Sequence, residues 1–291
     1  MKIISCFSYK GGAGRTTLLL NVTPYLAKDL NATEEKPLVL IDMDVDSCGL
    51  TYFFDLVNNA NIDRINTQSF FGNYGSIPKD DDVESALEHK LFTGLFAVGK
   101  WFGLPDRAVL CLPAMPGSAL GTNNYDGNSS KVQEFLEECD GICCGVVFDS
   151  AVGNQLTAGW SLSFSSEIIC CMRPTKQFRD GTIRFFRDYN ERNTGKRVIV
   201  VPNVVPTEPL VIDGNAYPEY AKSEIIKGFQ SMSPHNEYDL TMLKDGIFGV
   251  PKIDRFMWQE GVLKMSDVKP AEQEALERYR KISAVVCKKE A

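Results

Sequence analysis

Lys2-Ile-Ile-Ser-Cys-Phe7, then Ser8-Tyr9-Lys10-Gly11-Gly12-Ala13-Gly14-Arg15-Thr16-Thr17, is the stretch on which the fold turns. The first six residues form a short apolar run, as a buried strand requires. From Thr16 to Leu30 apolar residues recur at three- and four-residue spacing, which predicts an amphipathic helix. Between them lies a glycine turn. In a strand–turn–helix unit, glycines let the backbone curl so that several N–H groups face one anion, and the helix adds its positive end. The competing reading is a glycine turn without a ligand. Lys10, three glycines and two threonines directly after a strand speak against it.

Further along the chain the same alternation continues. Lys2 to Phe7, Leu38 to Ile41, Ala108 to Leu112, Gly145 to Phe148, Glu167 to Met172, Arg197 to Val201 and Ile247 to Pro251 read as strands. They are uniformly apolar, as strands buried on both faces are. Ser130 to Glu138, Gly181 to Asn190 and Ala271 to Val286 join Thr16 to Leu30 as helices. The expected architecture is a doubly wound, mostly parallel α/β sheet flanked by helices. Asn58 to Asp82 and Ala114 to Ser129 read as loops. Pro202 to Asp245 is polar and irregular and is left unassigned, as an inserted lobe or a flap facing a partner. No repeat of fixed period is visible, so residues 1–291 are read as one domain.

Composition narrows the function classes. With 44% hydrophobic and 24% charged residues in 291, the chain is long enough to bury a core without a disulfide or structural zinc. Its net charge of −7 opposes nucleic acid and anionic lipid unless a local basic patch exists. Nine cysteines, several in apolar runs such as Cys143-Cys144 and Cys170-Cys171, point to reduced thiols and a cytoplasmic protein. No apolar stretch reaches the length of a membrane span.

Three segments carry chemistry. In the first, Thr16 would offer its hydroxyl to Mg²⁺, as in the general P-loop pattern. Two positions depart from that pattern: Tyr9 stands at the first glycine, and Arg15 at the phosphate lysine. A planar fork replaces a compact ammonium there, so nucleotide binding is expected to survive while hydrolysis slows. The second segment, Leu38 to Asp42 followed by Met43-Asp44-Val45-Asp46-Ser47-Cys48-Gly49-Leu50, ends a buried strand in alternating carboxylates. Strand ends at that edge of such a sheet are where ligands bind. In the third, Gly145-Val-Val-Phe-Asp149 delivers one carboxylate from a strand, an arrangement that holds Mg²⁺, and Gly153 follows to sense a γ-phosphate.

Lys10-Gly-Gly-Ala-Gly-Arg-Thr-Thr17 resembles the deviant Walker A box of the ParA/MinD ATPases, in the variant with arginine at the lysine position. Asp42-x-Asp44 with Gly49-Leu50 is similar to that group's second acidic box. Cys171-Met-Arg173-Pro174-Thr-Lys-Gln177, Val200-Val-Pro-Asn203 and Phe248-Gly-Val-Pro251 also match the family, so the likeness runs from residue 2 to about 254. It implies a P-loop NTPase fold of SIMIBI type and an Mg²⁺-dependent ATPase switch that dimerises on ATP and controls a partner protein. Gly11, Gly12, Ala13, Gly14, Arg15, Thr16 and Thr17 would wrap the phosphates, and Lys10 would reach a partner subunit's phosphates. Asp44 would orient water, Asp42 would fix the magnesium shell or the loop, and Thr16 and Asp149 would hold the metal. Arg173, Pro174 and Asn203 would meet the base. Asn21 falls at the family's asparagine, whereas Pro24 breaks the helix pattern. Alternatives are a nucleotide-gated module with little turnover, and a scaffold bound to DNA or membrane. Cys139, Cys143 and Cys144 lack metal-ligand spacing, with His89 and His235 far off. The C-terminal helix, with Leu276, Tyr279, Ile282 and Val286 on one face, is expected to pack on the sheet rather than on a membrane.

Overall fold

The computed structural model describes residues 1–62, 66–73, 92, 94–115, 128–153, 156–190, 194–232, 235–244, 248–257, 261–264 and 268–288. In chain order the strands are β1 (Lys2–Ser8), β2 (Leu38–Asp42), β3 (Phe96–Ala97), β4 (Val109–Leu112), β5 (Gly145–Val152), β6 (Glu167–Met172), β7 (Arg197–Pro202), β8 (Leu210–Ile212), β9 (Asn215–Tyr217) and β10 (Glu237–Asp239). Eight of them form one sheet in the order β10-β7-β6-β1-β5-β2-β4-β3. Every neighbour pair in it is parallel except β3–β4. β2, β4, β6 and β7 are buried along their whole length, which is why they read as continuous apolar runs.

The helices are α1 (Arg15–Asp29), α2 (Gly49–Phe53), α3 (Thr67–Asn73), α4 (Asn128–Cys139), α5 (Leu156–Phe164), α6 (Lys176–Asn190), α7 (Glu219–Gln230) and α8 (Pro270–Cys287). α1 and α8 share one core with the sheet: Leu18, Leu19, Leu26, Tyr279, Ile282 and Val286 are all buried there. The apolar stripe of the C-terminal helix is therefore consumed by packing. Pro24 lies inside α1, which continues through it, and Thr23 Oγ1 donates to the Leu19 carbonyl at 2.8 Å one residue earlier. A second core joins Phe70, Phe71 and Phe135, and a third joins Phe7, Phe186 and Phe229. Seven of the nine cysteines are buried, including Cys139 and Cys143 in the second core.

Four stretches of the sequence differ in the structure from how they read. Within Asn58 to Asp82, α3 replaces part of the expected loop; residues 63–65 and 74–82 lie outside the described residues. Asn66 is a helix cap, its Oδ1 accepting from Ser69 N at 2.9 Å, so the Asn-rich composition marked a helix start. Of Ala114 to Ser129, residues 116–127 lie outside the described residues and α4 begins at Asn128. Pro202 to Asp245 contains the β8–β9 hairpin, α7 and the edge strand β10. Ala221, Ile225 and Phe229 bury one face of α7 at four-residue spacing, a pattern hidden by the lysines and glutamates around it. Finally, the strand expected over Ile247 to Pro251 is only a single bridge, Val205 with Pro251, residues 245–247 lying outside the described residues.

Gly249 explains that last difference. Its φ of +62° takes the chain out of extended geometry, and a Cβ there would meet the Pro202 carbonyl oxygen at 2.0 Å. Gly249→Ala is expected to destabilise the protein by about 2 kcal/mol or more, combining backbone strain with displacement of β7's end. Chemical denaturation checks this; an unchanged midpoint would refute the close packing of this turn.

Candidate functional site

Parallel register sets the site. β5 lies between β1 and β2, pairing Cys6 with Asp149 on one side and Asp42 with Asp149 on the other. The chain leaves β1 at Ser8, enters the glycine turn and begins α1 at Arg15. Gly12 and Gly14 take φ of +81° and +78°, which side chains rarely adopt. Gly11 and Gly12 face open space. The loop from Gly11 to Thr17, with Ser8, Asp44, Asp46, Ser47 and Val152, encloses a cavity of about 470 Å³.

Arg15 does not point into open space. Its side chain is only 7% exposed, with Nε donating to Asp149 Oδ1 at 2.7 Å and Nη2 to Asp44 Oδ2 at 2.5 Å. Nη1 reaches Ser8 Oγ at 3.4 Å. Burial works against its charge, but Asp149 and Asp44 outweigh burial, so its pKa lies above the ordinary arginine value. Burial also raises the Asp149 carboxyl, against the pull of Arg15 and Thr16. Arg15 stays protonated and so presents a positive charge to Asp149 and Asp44. Thr16 Oγ1 donates to the other Asp149 oxygen at 2.7 Å. A side chain on Gly49 would lie 2.6 Å from that same hydroxyl, so the acidic loop approaches α1 only because residue 49 is glycine.

Asp42 stands one layer behind. It is fully buried, with Oδ1 accepting from Asp44 N at 3.3 Å and Oδ2 accepting from Thr51 N at 3.2 Å and Thr51 Oγ1 at 3.0 Å. Its geometry serves the acidic loop, the second of the two tasks the resemblance implied. Burial, then the charge of Asp149, pushes its pKa up to about 8. Asn203 is likewise engaged in holding structure: its Nδ2 donates to Ala13 O at 2.9 Å and to Gly14 O at 3.2 Å. Asn21 ties α1 to a later segment, donating to Gly261 O at 2.9 Å and accepting from Leu263 N at 2.8 Å.

Other expected residues sit further out. Lys10 is exposed, its Nζ 5.7 Å from the centre of the Phe178 ring. The Gly153 N–H donates to Ser8 O at 3.2 Å. Arg173 and Pro174 line a second, largely apolar cavity of about 480 Å³ with Val204, Pro206, Leu210 and Tyr217. Val204 connects the two cavities: its Cγ2 lies 3.5 Å from where a Cβ of Gly14 would be. Residues that sequence reasoning passed over are Ser8 and Ser47, and Thr51, whose hydroxyl also bonds Ala114 O at 3.0 Å. A threonine in a short helix carries no motif signal.

Among the solved structures similar to this chain are MinD, McdA and ParA-family proteins. Septum site-determining protein MinD from Pyrococcus horikoshii OT3, complexed with Mg-ADP, matches at 17% identity and TM-score 0.59 over 98% of this chain and 95% of that one. An ATP complex of a McdA variant from Cyanothece matches at 13% identity and TM-score 0.66 over 100% and 98%. The MinC:MinD cell division protein complex of Aquifex aeolicus matches at 20% identity and TM-score 0.56 over 97% and 95%. This chain has the fold of the MinD, McdA and ParA-family ATPases. No protein-family model matches the sequence, and no curated protein is similar to it. In this MinD-like fold the glycine turn, the acidic loop and Asp149 meet at the carboxyl edge of the sheet, where ligands of open α/β sheets bind.

Two measurements test this geometry. Asp42 has a folded pKa near 8 against an unfolded value near 4, so the folded state binds the extra proton between those pH values. Its contribution to stability is complete at low pH and is lost as pH rises through about 8. In nucleotide-free denaturation from pH 5 to 8.5, the stability of the wild type relative to Asp42→Asn should fall steadily; a flat difference would contradict a buried neutral Asp42. Asn203→Ala should cost about 1–3 kcal/mol, because two loop carbonyls lose a buried donor.

Proposed function

We propose that this protein is a ParA/MinD-type P-loop ATPase whose nucleotide state controls its association with a second copy and with a partner protein. The observation that carries the reading is the glycine cradle at the start of α1 facing Asp44 across a cavity of about 470 Å³, with Asp149 buried behind Arg15 and Thr16. The residues fit the group. Gly11 and Gly12 leave room for phosphate oxygens, and the backbone N–H groups from Gly12 to Thr17 sit at a helix start, where anions are stabilised. Thr16 and Asp149 offer a hydroxyl and a carboxylate already 2.7 Å apart, a donor set suited to Mg²⁺. Bound Mg²⁺ would neutralise charge on the phosphates during transfer.

Within that reading each side chain has a task. Arg15 binds phosphate oxygens through its fork, and Asp44 orients the attacking water. Asp42 keeps the acidic loop in place through Thr51. Asn203 holds the loop carbonyls of Ala13 and Gly14 so that their N–H groups face the phosphates. Arg173 and Pro174 flank the base in the adjoining cavity. Lys10, exposed on the loop, reaches the phosphates of a second copy. A nucleotide-gated module with slow turnover is the second reading, supported by the two carboxylates that bind Arg15.

Calorimetry with Mg²⁺-ATP and Mg²⁺-GTP is expected to give saturable binding of ATP. Phosphate release should fall about 10²-fold in Asp44→Ala while ATP still binds. Loss of binding in the wild type would remove the nucleotide reading, and an unchanged rate in Asp44→Ala would remove the assigned hydrolytic role. Light scattering with a non-hydrolysable ATP analogue should show dimers in the wild type and monomers in Lys10→Ala.

A further inference from the structure

We propose that Arg15 is an internal counter-ion that closes the metal-binding carboxylates to a free divalent cation, so that the metal is admitted only with a phosphate chain that draws Arg15 away. The inference rests on the nucleotide reading for what opens the site, but the closed state stands on geometry alone. Asp44 and Asp149 converge from β2's end and β5, and a cation already lies between them. Each carboxylate oxygen facing the inside of this pair is taken. Asp149 Oδ1 accepts from Arg15 Nε, Asp149 Oδ2 from Thr16 Oγ1, and Asp44 Oδ2 from Arg15 Nη2. Asp44 Oδ1 accepts from Ser47 N at 3.3 Å. A bare Mg²⁺ would have to displace a charge-assisted contact on each carboxylate and shed tightly held water, for ligands already satisfied.

The residue type matters. Bridging uses two nitrogens of one planar group, Nε on Asp149 and Nη2 on Asp44, with the third, Nη1, near Ser8 Oγ. A lysine ammonium is one point charge and does not span two carboxylates in that way. This accounts physically for arginine at the position where the general P-loop pattern has lysine. The same fork can trade two carboxylates for two phosphate oxygens, which is the exchange that would free Asp149 and Asp44 when a triphosphate enters the cavity that Arg15 lines. Arg15 is then a positioning residue for the metal as well as a phosphate ligand.

The test uses Mn²⁺ alone, without nucleotide, followed by loss of the free-ion electron paramagnetic resonance signal. The wild type should show no saturable binding at millimolar Mn²⁺. Arg15→Gln, which keeps a planar hydrogen-bonding group on a shorter side chain but removes the charge, should gain one site with affinity raised about tenfold or more. The gain should vanish in Arg15→Gln/Asp149→Asn. Arg15→Lys, with charge retained but one carboxylate released, should fall between; it carries the test if Arg15→Gln does not fold by circular dichroism. Wild-type binding as tight as that of a folded Arg15 variant would overturn the proposal, as would a folded variant with no gain. Thermal melting with Mg²⁺-ATP in parallel separates the outcomes, because absent nucleotide stabilisation defeats the ATPase reading whatever Mn²⁺ does.

Discussion

Two buried carboxylates cannot face each other at a sheet edge without a cation, and the arrangement around Arg15 follows from that constraint. Parallel pairing of β5 with both β1 and β2 forces Asp149 beside Asp42 and brings Asp44 just beyond the strand end. Desolvation raises the cost of each negative charge, and three in one place would repel. The chain resolves this in two ways. Asp42, fully buried, has its pKa pushed up to about 8 by burial and then by the charge of Asp149. Asp149 and Asp44 share Arg15, which places a positive charge between them. The first residue of α1 is thus fixed by electrostatics as much as by the helix that follows it.

Around this charge cluster the backbone is held by short polar tethers rather than by apolar packing. Asn203 grips the carbonyls of Ala13 and Gly14, Asn21 grips Gly261 and Leu263, and Thr51 joins Asp42 to Ala114. Each tether links elements far apart in sequence, so the cradle is positioned by the whole sheet edge. Glycine is needed where two of these segments touch, as at Gly49 against Thr16. Tethers of this kind fix the backbone of the loop that lines the cavity.

The first half of the sheet and its cradle were legible because their signals are local. Continuous apolar runs identify β1, β2 and β5, and the glycine turn between Lys10 and Thr16 has few other uses. The second half was less so. Helix α7 buries only Ala221, Ile225 and Phe229 among charged neighbours, and β10 is a three-residue edge strand with its ends exposed or half-buried. Neither leaves a strong periodic trace. Within the site, the motif placed Arg15, Thr16, Asp44 and Asp149 at one edge, but it did not foretell that Arg15 turns inward. Side-chain direction there is decided by which carboxylates survive desolvation, a property of the assembled sheet and not of any window of sequence. Asn203 shows the same limit: its amide chemistry suits a base edge, yet in the fold the nearest acceptors are the loop's own carbonyls.

The likeness to MinD and McdA structures at 13–20% identity shows how little of the chain this architecture prescribes. Any buried strand can be rebuilt from other apolar residues of similar volume without losing the sheet. The charged layer has no such freedom. Replacing lysine by arginine at position 15 changes what the cation can touch, and its reach to two carboxylates is compatible with a sheet edge only where Ser8, Thr16 and Gly49 leave it room. At position 15 a compact ammonium and a planar fork are not equivalent. There the guanidinium meets Asp149 through Nε and Asp44 through Nη2.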